Sequence, residues 1–344
     1  MLEFEGKTII FGAPTTFGFS SVIKPELERV GLKVFDFSPV LDNKFKYKNI
    51  WQRIHNVYRK VFFKDYQNKK KLQASEIEEL LMTSLMQVPE ADFSFFIRPD
   101  LFPLRFVEEA CNKAKLSVAY QWDGLDRYPE IFNYLKNFDR FFVFDKLDIT
   151  TARLPLTNFF IPDRNYCNTF RSEKAYFCGS YINEQRFSEV AAIANALQSL
   201  NIPLNFLLVC DNKRLRKEIK EESFTIIAES IIPYSSNLEN VKNSTILVEV
   251  QNPVHEGLSF RVFEAMNYNM KLITTNAAIK SYDFYDPANI FVWDGKNSFG
   301  LSDFLKTPMK ALPEKIKNKY SFDNWIKYVL NYGTYESIDL PESK

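Results

Sequence analysis

Histidine occurs only twice in the 344 residues, as His55 and His255, and cysteine four times. No CxxC pair joins Cys111, Cys167, Cys178 and Cys210, so a Cys/His zinc site is not expected. The cysteines read as small buried hydrophobes of a reducing compartment. Net charge is nearly absent. The 44 basic and 43 acidic residues give +1, which excludes a uniformly basic nucleic-acid binder. No stretch approaches the roughly 20 apolar residues of a membrane-spanning helix. The N-terminal MLEFEGKTIIFGAP puts two acids before an apolar run too short for a secretory signal. Short-period repeats and low-complexity tracts are missing too, and the expected location is the cytoplasm.

What is present suits a folded enzyme-sized chain. Hydrophobic residues make up 46% and charged residues 25%, the soluble globular average, and 33 Phe supply material for two cores. At about 150 residues per domain, the length predicts two domains. Charge is unevenly spread. Residues 43–71 hold ten Lys/Arg and one Asp, net +9, which leaves the remainder at net −8.

The order of elements predicts an α/β fold with two Rossmann-like doubly wound domains. Lys7-Thr8-Ile9-Ile10-Phe11 reads as a strand ending at Gly12, followed by a helix over 21–30 stopped by Gly31 and a strand over 33–37. Such a βαβ opening implies parallel strands and a right-handed crossover. A helix at 75–86, a strand at 93–97, a helix at 104–114 and strands at 116–120 and 140–144 continue the alternation. Polar residues 162–174 form the linker. The pattern then restarts with a strand at 176–178 and a helix whose Phe187, Val190, Ala191, Ala194, Leu197 and Leu200 share a face. Strands at 206–210, 224–228, 246–250, 272–275 and 290–293 follow, with a helix over 259–267. The expected organisation is an N-terminal domain over 1–165, a C-terminal domain over 175–318, and a segment 319–344 whose helix near 322–330 returns to the first domain. Open parallel sheets bind ligands beyond the carboxyl ends of their strands, here in a cleft between domains.

One such loop stands out: Pro253-Val254-His255-Glu256-Gly257-Leu258-Ser259-Phe260-Arg261-Val262-Phe263-Glu264-Ala265-Met266. It follows a strand and opens a helix, so the amides of Gly257, Leu258, Ser259 and Phe260 form an anion site at a positive helix end. Gly257 lets a ligand approach the backbone. Glu264 is suited to accept hydrogen bonds from a ribose diol, and Arg261 to meet a phosphate. Plainer readings stand beside these. Both acids can simply favour a helix N-terminus, Arg261 can lie on the helix surface, and His255 can be a solvated loop residue.

EGLSFRVFEAM followed by KLITTN resembles the Glu-x7-Glu segment of GT-B glycosyltransferases. The resemblance extends to YSSNLENVKNSTILVEVQNPVHEG and to YFCGSYINEQRFSEVAAIANAL, so it covers 175–295; the first half agrees as a fold pattern only. It implies that Glu264 holds the donor ribose, the 257–260 amides the diphosphate and Glu256 the donor sugar, with Tyr234 at the base. Many relatives carry an Arg and a Lys after the first strand of the second domain. Here Ser180-Tyr181 and then Arg186 stand there, with Arg186 the substitute. The family's frequent first-domain His is absent from Gln121-Trp122-Asp123-Gly124-Leu125-Asp126-Arg127, which makes Asp123 the candidate for touching the sugar or taking the acceptor's proton. Asp123 also suits a turn with Gly124. The pairs Asp123/Asp126 and Asp145/Asp148 are not the metal-binding Asp-x-Asp of the other major glycosyltransferase fold, and no protein-bound metal or cofactor is expected.

The basic block admits two readings. Trp51, Ile54, Tyr58 and Val61 share a helical face, either docked on the protein's own sheet with lysines outside or facing an anionic membrane surface. Nothing in it matches a nucleic-acid-binding module. The resemblance implies transfer of a sugar from a nucleotide-diphosphate sugar to a glycan or lipid-linked acceptor, as in bacterial surface polysaccharide (lipopolysaccharide or capsule) assembly, with retention favoured. Should the enzyme invert, Asp123 is the first candidate general base. The alternatives are another GT-B enzyme, such as a sugar-nucleotide epimerase, and a non-catalytic nucleotide- or sugar-binding scaffold. The expected setting is cytoplasmic, on the inner face of the cell membrane if 43–71 meets lipid.

Overall fold

The computed structural model describes the chain except residues 1, 44, 165, 167–170, 211, 219–224, 229–231, 253–255, 296–298 and 342–344, and the side chains of 17, 214, 217, 218 and 225–228. The chain divides into two compact units, Met1–Phe142 and Val143–Lys344.

The first half opens with β1 (Thr8–Gly12), α1 (Phe19–Arg29) and β2 (Lys33–Asp36). Gly31 at φ 107° takes the left-handed turn after α1 that an L side chain resists. Next come α2 (Ile50–Phe62), α3 (Asn68–Met86), β3 (Ala91–Ile97), α4 (Leu104–Asn112), β4 (Ala114–Gln121), β5 (Arg140–Val143) and the short β6 (Arg153–Pro155). The sheet runs β2-β1-β3-β4-β5-β6. β1 pairs in parallel with β2 on one side and β3 on the other, so the winding reverses between β1 and β3. Ile9, Ile10, Phe11, Phe95 and Phe96 are fully buried, the near-continuous apolar runs of strands covered on both faces. α4 buries Phe106, Val107, Ala110 and Cys111, a stripe at offsets of one, three and one. Burial pushes the Cys111 thiol up to about 12, and Cys111, Cys178 and Cys210 are free thiols.

α2 departs from the docked reading. None of its residues is buried, and Trp51, Ile54, Tyr58 and Val61 all face outward. The reason lies on the helix's other side. Asn56 accepts from Asn68 Nδ2 at 2.8 Å and donates to Tyr47 at 2.9 Å, so polar groups make the inward contact. α3 also begins earlier than its apolar pattern predicts, because Asp65 accepts from the amides of Gln67 and Asn68 ahead of the lysines.

The second half contains β7 (Ala175–Ser180), α5 (Glu184–Ser199), β8 (Leu204–Val209), α6 (Lys213–Glu218), β9 (Thr225–Ala228), α7 (Tyr234–Lys242), β10 (Ile246–Glu249), α8 (Phe260–Asn267), β11 (Lys271–Thr274) and β12 (Ile290–Val292). Its parallel sheet has the order β12-β11-β10-β7-β8-β9, with the reversal between β7 and β10. Asn183 caps α5 by accepting from the Arg186 amide at 2.9 Å. The buried face of α5 is Phe187, Val190, Ile193, Ala194 and Leu197, with Ile193 where the sequence pattern favours Ala191.

α9 (Leu301–Lys306), α10 (Glu314–Lys319) and α11 (Phe322–Val329) end the fold. α11 packs on residues 157–160. Trp325, fully buried, donates from Nε1 to the Thr157 carbonyl at 2.9 Å and lies 4.4 Å from the Phe159 ring, centroid to centroid. The amides of Phe160 and Phe322 donate to the carbonyls of Tyr320 and Phe160. No helix among the described residues is long and apolar enough to cross a membrane.

Candidate functional site

The carboxyl ends of β7, β10 and β11 and the amino ends of α7 and α8 meet along one edge of the second sheet, where doubly wound folds take ligands. The loop between β10 and α8 is held from several sides. The Glu256 amide donates to Asp145 Oδ2 at 3.0 Å, and the Glu256 carboxylate pairs with Lys146 at 2.6 Å. Asn276 donates to the Glu256 carbonyl at 3.1 Å, and Asn158 to the Leu258 carbonyl at 2.9 Å. Leu258 is thereby buried, and Ser259 becomes the N-cap position of α8. The first amides of a helix have no intrahelical partner, so this loop presents donors at a positive helix end. His255 lies outside the described residues.

Gly257 has a packing role. A Cβ there would lie 2.2 Å from Cε1 of Phe144, so the ring of Phe144 fills the space that a side chain would need. Phe144 thus stands where the sequence alone suggests the approach of a ligand. Phe144, Lys146, Glu256, Gly257, Ala278 and Tyr282 line a small pocket on this side of the loop.

Behind the loop, α7, α8 and β7 bring together a buried polar cluster. Arg261 Nη1 pairs with Glu264 Oε2, and Nη2 donates to Asn237 Oδ1 at 2.6 Å. The same oxygen accepts from the Tyr176 hydroxyl at 2.7 Å. Glu264 is only 2% exposed. Tyr234, the first residue of α7, is buried beside it. Burial first, and the Glu264 carboxylate second, raise the Tyr234 phenol well above its ordinary value. For Arg261, burial pulls the guanidinium down, yet Glu264 and its neighbours outweigh this and hold it above its ordinary value. Three buried atoms of the cluster have no hydrogen-bond partner: Glu264 Oε1, Arg261 Nε and Asn237 Nδ2. Buried polar atoms are nearly always paired, so three together represent unused hydrogen-bonding capacity in one place.

Arg186 is occupied differently. Nη2 donates to the Val250 carbonyl at 3.0 Å, and Nη1 to the Ser180 carbonyl, so its guanidinium ties the ends of β7 and β10 together. Burial lowers its pKa, while Glu249 opposes that. Glu249 is itself raised by burial, against the lowering effects of the Thr274 hydroxyl and Arg186.

Asp123 belongs to the other unit, three residues beyond Tyr120 in the loop after β4. Both its oxygens are engaged, one by Arg98 Nη1 at 2.9 Å and one by Arg127 Nη1 at 2.8 Å. Arg98 also pairs with Asp100 at 2.6 Å, and its guanidinium lies 3.6 Å from the centre of the Tyr128 ring. Gln121, fully buried, leaves both amide atoms unpartnered. Among the described residues, no three His, Cys, Asp or Glu side chains gather as a metal site requires.

Glu256, Glu264, Arg261 and Tyr234 stand out in the sequence, whereas their partners Lys146, Asn237 and Tyr176 do not. One signal for Asn237 was available. Tyr234/Asn237 and Arg261/Glu264 are both i,i+3 pairs on helices that enter beside the same strands.

No protein-family model and no curated protein matches the sequence. Solved structures do match by fold. An α-glucosyltransferase in complex with UDP and a 13-mer DNA superimposes at a TM-score of 0.52 with 9% identity, covering 88% of this chain and 89% of that one. A UDP-forming α,α-trehalose-phosphate synthase from Burkholderia xenovorans gives 0.50 and 9%, covering 90% and 92%. The chain has the GT-B fold. Within GT-B architecture, the loop before α8 and the cluster behind it occupy the strand-end edge of the second Rossmann-like domain.

Proposed function

We propose that the protein is a GT-B glycosyltransferase that moves a sugar from a nucleotide-diphosphate sugar to a glycan or lipid-linked acceptor in bacterial surface polysaccharide assembly. The observation that carries this reading is the buried Glu264–Arg261 pair at the head of α8, with Glu264 Oε1 lacking a donor. A carboxylate oxygen without a partner is suited to a ribose hydroxyl, and the α8 amides to the diphosphate.

In this reading Glu256, steadied by Lys146, faces the donor sugar, and Tyr234 stands on the side of the base. Arg186 frames the diphosphate by holding the ends of β7 and β10. The bond from the anomeric carbon to phosphate oxygen breaks, and its electrons leave with the nucleoside diphosphate. The acceptor hydroxyl oxygen bonds to that carbon. Its proton passes to the departing diphosphate oxygen when attack comes from the leaving-group face, with retention, or to Asp123 when attack comes from the opposite face, with inversion. Asp123 serves the acceptor side, where a hydroxyl displaces Arg127, the more exposed of its two partners. With a lipid-linked acceptor the reaction runs at the inner face of the cell membrane.

The test is thermal unfolding with UDP-, GDP-, ADP- and CMP-sugars, comparing wild type with Glu264→Gln. A ligand at 100 times its Kd stabilises the native state by about 2.7 kcal/mol. Stabilisation of the wild type alone supports the donor site; no stabilisation by any sugar nucleotide overturns it. Release of nucleoside diphosphate is then measured with glycan and lipid-linked acceptors, and NMR of the product reads the anomeric configuration. Because one protein of this fold is seen with DNA, duplex DNA belongs in the same screen, and transfer to it would replace the glycan acceptor. Interconversion of the sugar nucleotide without acceptor would replace transfer by epimerisation.

A further inference from the structure

α2 is an amphipathic helix mounted the wrong way round for a helix that serves only its own core. Its inward side is Gln52, Asn56 and Arg59, held by the Asn56–Asn68 hydrogen bond and by the Arg59–Asp65 ion pair at 2.8 Å. Its outward side is apolar. Ile50, Trp51, Ile54, Val57, Val61 and Phe62 are between 50% and 74% exposed. At about 100° per residue they fall within one arc of the helix, continuous along its whole length. Isolated exposed apolar side chains are ordinary on a protein surface, but a contiguous stripe of this kind marks an interaction site.

The charge around the stripe selects its partner. Residues 43–71 carry net +9 while the rest of the chain is net −8. Arg53 and Lys60 flank the stripe on α2 itself, and Lys46, Lys48, Lys64 and Lys69–Lys71, in the segments before and after the helix, are also exposed. A second copy of the chain would bring the same positive block against this one. A nucleic-acid backbone would meet the cations but leave the aliphatic stripe in water. A bilayer with anionic headgroups satisfies both, since its acyl boundary accepts the apolar arc and its phosphates accept the flanking cations. Trp51 and Tyr58 are side chains of the kind that settle at that boundary, with an apolar body and a polar tip.

We propose that α2 is a membrane-docking helix that lies in the plane of an anionic lipid surface, with Ile50, Trp51, Ile54, Val57, Val61 and Phe62 inserted and the exposed Lys46, Lys60, Lys64 and Lys69–Lys71 on the headgroups. This holds independently of which reaction the second Rossmann-like domain performs.

The test is co-sedimentation of the full chain with vesicles of phosphatidylcholine alone and with about 30% phosphatidylglycerol, a content that gives a substantial negative surface potential. Binding should be about tenfold tighter to the anionic vesicles and fall severalfold in 0.5 M NaCl. Ile54→Glu/Val61→Glu should weaken it by about tenfold or more, since each change puts a charge into the inserted face. Both positions are exposed, so the thermal midpoint should stay within about 2 °C of wild type. Lys69→Glu/Lys70→Glu tests the electrostatic half separately and should weaken binding to the anionic vesicles only. Equal binding to both vesicle types, or none to either, overturns the proposal. So does a wild-type dimer in light scattering that Ile54→Glu/Val61→Glu returns to monomer, and so does duplex DNA that binds in place of the vesicles.

Discussion

Arg98 reaches Asp123 at 2.9 Å from a backbone held at φ 57°, a left-handed conformation that few arginines adopt. The side chain is only 8% exposed and is closed in by Asp100, Asp123 and the Tyr128 ring. Asp123 is therefore a counter-charge for a buried cation as well as the acceptor-side candidate. Asp123→Ala should cost about 1–3 kcal/mol in urea unfolding, because Arg98 keeps only Asp100. Asp123→Asn should cost less, since the amide oxygen still accepts from Arg98. If Asp123 also takes the acceptor's proton, the Asn variant will lose kcat by far more than it loses stability.

Glu264 and Arg261 should behave as a unit. Glu264→Ala leaves a buried guanidinium without its carboxylate, at a cost of about 3–5 kcal/mol. The double variant Glu264→Met/Arg261→Met should recover most of that in chemical denaturation, while binding no sugar nucleotide. Failure of the double variant to recover would place the cost in packing around Asn237 and Tyr176 instead of in charge.

Gly257→Ala should destabilise by about 1–3 kcal/mol through overpacking against Phe144. Phe144→Leu in the same chain opens the space and should restore part of the loss, measured as the shift of the urea midpoint. If Gly257→Ala leaves stability unchanged, the glycine serves an incoming ligand, and the effect should appear in donor affinity.

Asp92 sets a pH dependence at low pH. Burial raises its carboxyl, but the Thr8 amide and the ammonium groups of Lys115 and Lys7 outweigh this and hold it at about 2. A folded-state value below the unfolded one means stability fully present above about pH 4 and lost as the pH falls through about 2. Asp92→Asn should therefore cost about 1 kcal/mol at pH 7, allowing for solvent screening of the lysine partners. The gap from wild type should close between pH 4 and pH 2 in denaturation series.

The central strands β1, β3, β10 and β11 are legible because they are buried on both faces and bounded by turns. Ile9 to Phe11, Phe93 to Ile97 and Leu272 to Thr274 announce themselves as short apolar runs, and the helices between them show a helical period. α2 marks where such a pattern stops informing. Its periodicity identifies an apolar side, but only Asn56 and Asn68, polar and inward, decide which side meets the protein. The candidate site is legible where it is local, from Glu256 through the first turns of α8. Its partners are not, because Asp145 and the Glu256 amide are 111 residues apart and no spacing rule joins them. Gly257 was legible as a close approach, though the approaching group is Phe144.

The seat of α11 on residues 157–160 governs the order in which the nascent chain can finish folding. Strands β1 to β4 need nothing beyond residue 121 to pair with one another, so the first sheet can form early during translation. Thr157 and Phe159 must wait for Trp325, 168 residues downstream of Thr157, before the carbonyl and the ring find their partners. A chain that ends before residue 321 therefore lacks the side chains that cover Phe159 and the Thr157 carbonyl.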